Sequence, residues 1–235
     1  MIKLRKSSER GYFNHGWLKS FHSFSFGNYY DPNHMHFGNL RVINEDFIAA
    51  NNGFPTHPHN NMEIITYVIS GALSHQDSMG NASTINAGEV QVMSAGSGVF
   101  HSEFSGEKKG ETHLLQIWIL PNVKNTSPTY QQKNFTNKFK NDALNLVVSG
   151  LGEDGFLQIK QDCKIYFGKF SAGEKSAKDF NFDIPDNKKV WIQLIKGELE
   201  TGDFLVQKGD ALAISDEKKI AFKINVDAEF LLFLL

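Results

Sequence analysis

An all-β chain of two related barrel or sandwich domains is the fold class this sequence predicts, and three observations carry it. Short runs rich in β-branched and aromatic residues recur at close spacing, parted by glycine and asparagine turns. Helical periodicity is almost absent. A faint internal repeat joins the halves: 67–73 (YVISGAL) resembles 193–199 (QLIKGEL), and 85–94 (INAGEVQVMS) resembles 206–215 (VQKGDALAIS).

The elements follow in order. His22 to Gly27 alternates large and small residues, as a half-buried strand does, and 28–33 (NYYDPN) has turn chemistry. Residues 40–49 read as a strand ended by Asn51, Asn52 and Gly53. Residues 64–69 (IITYVI) form another that stops at Gly71, and Met79-Gly80-Asn81 marks a hairpin tip. Residues 90–93 precede the glycine-rich 95–98, and 113–120 end at Pro121. Residues 121–142 are poor in aliphatics and read as a connection, with a short helical turn expected near 137–144. Strand patterns resume at 144–148 and finish in the apolar 230–235, expected to be a buried strand. The expected boundaries are a first barrel over 1–121, a linker over 122–143 and a second barrel over 144–235.

Composition narrows the function classes. With 40% hydrophobic and 21% charged residues, the chain has the balance of an ordinary globular protein. A net charge of −2 gives no bulk attraction to nucleic acid or to an anionic membrane. The lone cysteine, Cys163, excludes an intrachain disulfide, suits a reducing compartment and is expected to be a buried, inert thiol. The start, MIKLRK, runs straight into polar residues, so no signal peptide is expected. No run of 18 apolar residues exists to span a membrane, and a cytoplasmic location is the expectation.

Chemistry concentrates between Gly53 and Glu103. His57 and His59 are separated by one residue, as are His101 and Glu103. On a strand, residues i and i+2 share a face, so each pair can reach one point. Three neutral imidazoles and a carboxylate suit Fe(II), Ni(II), Cu(II), Mn(II) or Zn(II) better than Ca²⁺ or Mg²⁺. The first pair alone is equally well explained as two surface histidines. It is the second pair, repeating the spacing on another strand, that argues for a metal. His34 and His36 share the spacing but sit beside a turn and read as an exposed loop. Glu63 has the parity of His57 and His59, and parity does not choose between it and Glu103 as the carboxylate ligand. It could equally orient a ligating imidazole.

The repeat offers an internal control. Carried to the second copy, the offsets of His57 and His59 land on Asp183 and Pro185, and those of His101 and Glu103 on Phe222 and Ile224. No histidine follows His113. The second half therefore keeps the strand pattern without the ligands. A three-histidine, one-carboxylate set leaves coordination positions open, which favours a metal that meets substrate or O₂ over a closed structural zinc site.

These residues resemble the pirin family of the cupin superfamily. The likeness runs through Glu9-Arg10-Gly11, 22–32 (HSFSFGNYYDP), 40–46 (LRVINED), His57-Pro58-His59, Met62-Glu63-Ile64, 75–80 (HQDSMG), Met93-Ser94-Ala95-Gly96, His101-Ser102-Glu103 and Gln116-Ile117-Trp118. It covers the N-terminal half in order and is nearest to bacterial pirin-like proteins described as quercetin 2,3-dioxygenases. It implies a bicupin, two β-barrels packed face to face, with metal only in the N-terminal one. It implies His57, His59, His101 and Glu103 as ligands, whereas the usual cupin motif would use a carboxylate where Glu63 stands. Fe(II) is the metal it implies first, with Ni, Cu, Mn, Co or Zn as substitutes. Glu63, His75, His113 and Gln116 are then candidates to orient the ligands, beside the plainer reading of His75, His113 and Gln116 as core. His15 and His22 are read as packing or interdomain residues.

Two functions follow from the resemblance. One is a dioxygenase that opens the central ring of a flavonol such as quercetin with O₂, Glu103 serving as base. The other is a non-enzymatic, iron-dependent regulator acting through a protein partner, as eukaryotic relatives are described. Neither calls for direct contact with nucleic acid or a membrane.

Overall fold

The computed structural model describes residues 1–135, 138–150, 152–172 and 178–235. Its strands are numbered in chain order, and the only helical element among the described residues is a 3₁₀ turn at Ser7–Glu9. No helix among them is long and apolar enough to cross a membrane. The strands gather into two compact units. Among the described residues one comprises 11–135 and 150–162, the other 1–10, 138–149 and 163–235.

The earliest strand, β1 (Ile2–Arg5), belongs to the second unit. The first unit begins with β2 (Gly11–Asn14), β3 (Leu18–His22), β4 (Leu40–Ala49), β5 (Gly53–His59) and β6 (Glu63–Ser70). It continues through β7 (Ala72–Asp77), β8 (Ala82–Asn86), β9 (Glu89–Ser94), β10 (Val99–Ser105), β11 (Glu111–Ile119) and β12 (Thr129–Asn134). All pair antiparallel, in a seven-stranded sheet ordered β12-β9-β6-β11-β4-β3-β2 and a four-stranded sheet ordered β5-β10-β7-β8.

Local sequence explains the strands that frame the site. The β-branched run of β6 is buried on both faces from Glu63 to Val68. In β10 the burial alternates: Val99, His101, Glu103 and Ser105 point in, while Phe100 and Phe104 are 55% and 41% exposed. A bulge between His101 and Glu103 shifts the register against β5. Gly53 lies opposite Phe104, and a Cβ there would sit 2.2 Å from the Glu103 carbonyl oxygen, so only glycine lets the two backbones meet.

Two apolar patches of this barrel, among the described residues, flank a polar layer. Leu114 and Val68 pack with Leu18, Ile48, Leu73 and Ile85 on one side, and Ile64 packs with Met93, Ala95 and Val99 on the other. Across the sheet between them, Gln91, Thr66, Gln116, Asn44 and His22 are successive register partners.

The second unit repeats the topology. β14 (Leu157–Gln158) is a short strand of the first unit whose Gln158 backbone is bonded by the Gln131 side chain, and from Cys163 onward the described chain runs in the second. Its large sheet includes β1, β20 (Ala211–Ile214), β17 (Val190–Lys196), β22 (Ala228–Leu234), β15 (Lys164–Phe170) and β13 (Ala143–Ser149) in that order. The small sheet is β16 (Lys178–Asp183), β21 (Lys219–Ile224), β18 (Glu198–Thr201) and β19 (Phe204–Gln207). One continuous apolar cluster fills it, with Phe170, Phe222, Phe230, Ile192, Leu212 and Leu232 among its members.

Strand pairing moves the expected boundaries. Residues 1–10 are not part of the first barrel, because β1 pairs with β20 across Ile2↔Ile214 and Arg5↔Ala211. Residues 122–143 are not merely a linker, because β12 adds an edge to β9, with Thr129 opposite Ser94. Of the helical turn expected near 137–144, residue 137 lies outside the described residues; among the described ones no helix forms, 138, 141 and 142 being turn residues before β13 starts at Ala143. The strand expected over 22–27 instead ends at His22, since Phe26 and Tyr29 close a turn containing Gly27 at φ 55°. The hairpin tip near Gly80, the buried final strand and the buried Cys163 stand as expected.

The repeat control also shifts. Phe180 and Phe182 lie opposite Phe222 and Ile220 in the second barrel, as His57 and His59 lie opposite His101 and Val99 in the first. The counterparts of His57 and His59 are therefore Phe180 and Phe182, not Asp183 and Pro185. Loop lengths before the reference glycine differ between the halves, and offsets counted along the chain do not survive that difference.

Candidate metal centre

His57, His59 and His101 converge, each offering a ring nitrogen within 4.8 Å of the others. Strand register produces this: His57 is directly opposite His101, and His59 is two residues along the same face of β5. Their ring centroids are 4.4 to 4.8 Å apart. Neighbours hold the rings in place. His57 Nδ1 donates to the Pro55 carbonyl at 2.8 Å, which leaves Nε2 as the lone-pair nitrogen, and His59 packs edge-on to Trp118 at 5.0 Å.

Electrostatics keep His59 and His101 neutral. Burial, reinforced by His57 and His59, pulls the His101 pKa down to about 2, and burial with repulsion from His57 brings His59 to about 4. Both ring nitrogens of His101 are buried with no hydrogen-bond partner, an arrangement native interiors rarely keep without something to complete it. Donors around one ion with bonds of about 2.1 Å lie no more than about 4.2 Å apart, so this set needs little movement to share a centre. Neutral imidazoles beside a carboxylate, with no cysteine near, fit a divalent transition-metal ion.

Glu103 stands differently from the expectation. It groups with His101 and His75 within 4.8 Å, while His57 and His59 fall outside that set. Its carboxylate takes a hydrogen bond from Gln116 Nε2 at 2.9 Å and one from Thr66 Oγ1 at 3.5 Å. Burial pushes its pKa up to about 7, despite the Gln116 bond. Histidines and carboxylate nevertheless meet at one cavity of ≈ 280 Å³, walled by Phe26, Phe54 and Trp118 and reached by His57, His59, Glu103 and Gln116.

The remaining sequence candidates separate clearly. Glu63 accepts from Ser94 Oγ at 2.6 Å, and burial raises its pKa; it joins neither histidine set. His113 stacks on Phe47 at 4.0 Å and bonds Glu45, two residues on the face of the sheet opposite to Gln116. His75 lies behind His101, stacked on Tyr130 at 4.8 Å and donating from Nε2 to Asp77 at 3.2 Å. His34 and His36 sit in a loop, where their Nδ1 atoms bond Asp31 and the Gly38 carbonyl. Sequence reasoning missed Asn44 and Asp46, which line the cavity. The only signal available was two polar residues at i and i+2 in a strand that also carries Arg41 and Glu45, too weak to single them out.

The sequence matches known proteins along its whole length. The Pirin family model matches residues 3–119, and the model of the quercetinase C-terminal cupin domain matches residues 146–235. A protein of Escherichia coli K12 named quercetin 2,3-dioxygenase is 46% identical over 236 residues, covering 99% of this chain and 98% of that one. A pirin-like protein of Caulobacter vibrioides is 39% identical over 233 residues, with 99% and 98% covered. Among solved structures, the bacterial pirin YhhW of Escherichia coli in complex with nickel(II) superposes with a TM-score of 0.93 at 45% identity, covering 100% of this chain and 99% of that one. A duplicated barrel with a histidine cluster in its first copy, and likeness of this extent, lead to one assignment: the chain belongs to the pirin family.

Proposed function

We propose that this protein is a metal-dependent dioxygenase that opens the central ring of a flavonol such as quercetin. The observation that carries it is the convergence of three imidazoles, that of His101 buried with neither nitrogen bonded, beside an aromatic-walled cavity lined by His57, His59 and the buried carboxyl of Glu103. His57, His59 and His101 would hold the ion, with Glu103 as a fourth ligand bound loosely enough to exchange protons. The names carried by full-length relatives support the reaction class. Fe(II) is the ion we assign first, and the nickel complex of the YhhW structure supports a divalent occupant in general.

A divalent ion held there supplies a Lewis acid that acidifies the flavonol 3-hydroxyl. The chain does the rest. Glu103 receives the hydroxyl proton on its carboxylate, a task for which a pKa near 7 is suited at neutral pH. Gln116 aims that carboxylate through its amide donor, and Thr66 braces the other oxygen. Phe26, Phe54 and Trp118 hold the flat rings and keep water from the electron-rich enolate. Overall, both atoms of O₂ enter the product and one ring carbon leaves as CO.

The test is oxygen-dependent loss of flavonol absorbance by metal-loaded protein. Wild type should turn over at least about 100-fold faster than His101→Ala, as removal of a ligand or its support predicts. Equal rates in the two proteins would end this reading.

A further inference from the structure

The cavity beside the histidines does not stop at Phe54. A second chamber of ≈ 250 Å³ adjoins it, sharing Phe26, Asn44, Asp46 and Phe54 as a common wall. Phe13 and Leu18 add to its apolar lining, so the combined space is two-lobed and mostly hydrophobic. Its polar edge is built by two paired strands. Ser20 lies opposite Asp46 and His22 opposite Asn44, all on one face of β3 and β4.

These groups are ordered by one another. The Ser20 hydroxyl donates to Asp46 Oδ1, which leaves Ser20 Oγ to accept from His22 Nε2 at 2.8 Å. Phe13 stacks on His22 at 5.1 Å and fixes the imidazole. Asp46 is only 3% exposed, yet among the described residues nothing hydrogen-bonds its second oxygen. Asn44 Oδ1 is buried and takes no hydrogen bond either. An unmet buried acceptor is costly, so Asn44 Oδ1, beside an unbonded oxygen of the cavity-lining Asp46, points to a missing donor.

We propose that the second chamber receives a hydroxylated aromatic ring, the end of the substrate remote from the histidines, and that Asp46 and Asn44 accept hydrogen bonds from its hydroxyl groups. This rests on the flavonol reading of the neighbouring site. A flavonol is two ring systems joined by a single bond, which matches two lobes pinched between Phe26 and Phe54. Asp46 is then a specificity-determining residue, and Ser20 and His22 position it.

Two flavonols test this, identical except that the pendant ring carries two neighbouring hydroxyls or none. Anaerobic dissociation constants by fluorescence quenching and aerobic kcat/KM are measured for metal-loaded wild type, Asp46→Asn, Asp46→Leu and Ser20→Ala. Wild type should prefer the hydroxylated ring by about 10-fold, the worth of one good hydrogen bond to a carboxyl. Asp46→Leu should bring the ratio to about one, with Asp46→Asn between the two because it keeps an acceptor. If Asp46→Leu does not fold, Asp46→Asn and Ser20→Ala read the same ratio. A wild-type ratio near one, an unchanged ratio in the variants, or no binding of either flavonol overturns the assignment. Preferential binding without turnover keeps the chamber and discards the dioxygenase; turnover without preference does the reverse.

Discussion

Follow one row of register partners across the large sheet of each barrel. In the first it reads Gln91, Thr66, Gln116, Asn44, His22; in the second it reads Leu212, Ile192, Leu232, Tyr166, Leu146. The facing histidines undergo the same exchange, with Phe180, Phe182 and Phe222 where His57, His59 and His101 stand. Space changes with chemistry. Asp46 borders a cavity, while its counterpart Gly168 lies under the Phe230 ring, 2.5 Å from where a Cβ would be. The backbone scaffold is common to both. What distinguishes a site from a core is about a dozen inward side chains, and the polar version gives up apolar burial worth about 1.5–3 kcal/mol per large side chain.

The comparison can be broken most forcibly at His101. His101→Phe writes the second barrel's residue into the first, and divalent-metal affinity measured by competition with a chelator should fall at least about 1000-fold. Retained affinity would mean that His75 and Glu103 hold the ion with a single remaining histidine pair. The reverse exchange, Phe222→His, should cost about 3 kcal/mol of stability in denaturant unfolding and create no metal affinity, because Phe180 and Phe182 still surround it. An unchanged midpoint would show that the second interior tolerates polarity and is not a packed core.

Asp46 gives a pH-dependent test. Burial raises its pKa from 3.8 to about 7 in the folded chain, so the native state holds this proton to higher pH than the unfolded state does. Stability from this group is therefore greatest in acid, declines as pH rises from about 4 to about 7, and levels off above. In chelator-treated protein, wild type should lose on the order of 2 kcal/mol relative to Asp46→Asn between pH 4 and pH 8. A pH-independent difference between their melting curves would contradict a buried, reluctant carboxyl. The smallest effect is expected at Gln91, whose amide is fully buried with neither atom bonded. Gln91→Leu copies Leu212 and should stabilise by about 1 kcal/mol, and a loss of stability instead would reveal a bonded partner such as an internal water.

Much of this contrast was legible in the sequence, and the illegible part has physical causes. Strands such as β6, β9 and β11 announce themselves through β-branched runs bounded by glycine, and the histidine set through its i, i+2 spacing. Residues 129–134 did not read as a strand because an edge strand with half-exposed faces needs little apolar patterning, and Tyr130, Gln131 and Gln132 supply almost none. The membership of β1 in the second barrel depends on a pairing across most of the chain, for which local pattern carries no signal. Asn44 and Asp46 lie in a strand that was read correctly, and Ser20 in one that was not; their importance comes from a void, and voids are set by the sizes of side chains brought together from several strands. The displacement of Glu103 toward His75 follows from the bulge after His101, a one-residue irregularity that spacing rules cannot register.

The pairing of β1 has a bearing on synthesis. Ile2–Arg5 leaves the ribosome about 200 residues ahead of Ala211–Ile214, a delay of roughly 10–40 s at about 5–20 residues per second. Through that interval Ile2 and Leu4 have no native groove, since the cluster they pack against is still being made. A bulky fusion ahead of Met1 would accordingly threaten the second barrel, at the end farthest along the chain from where it was attached.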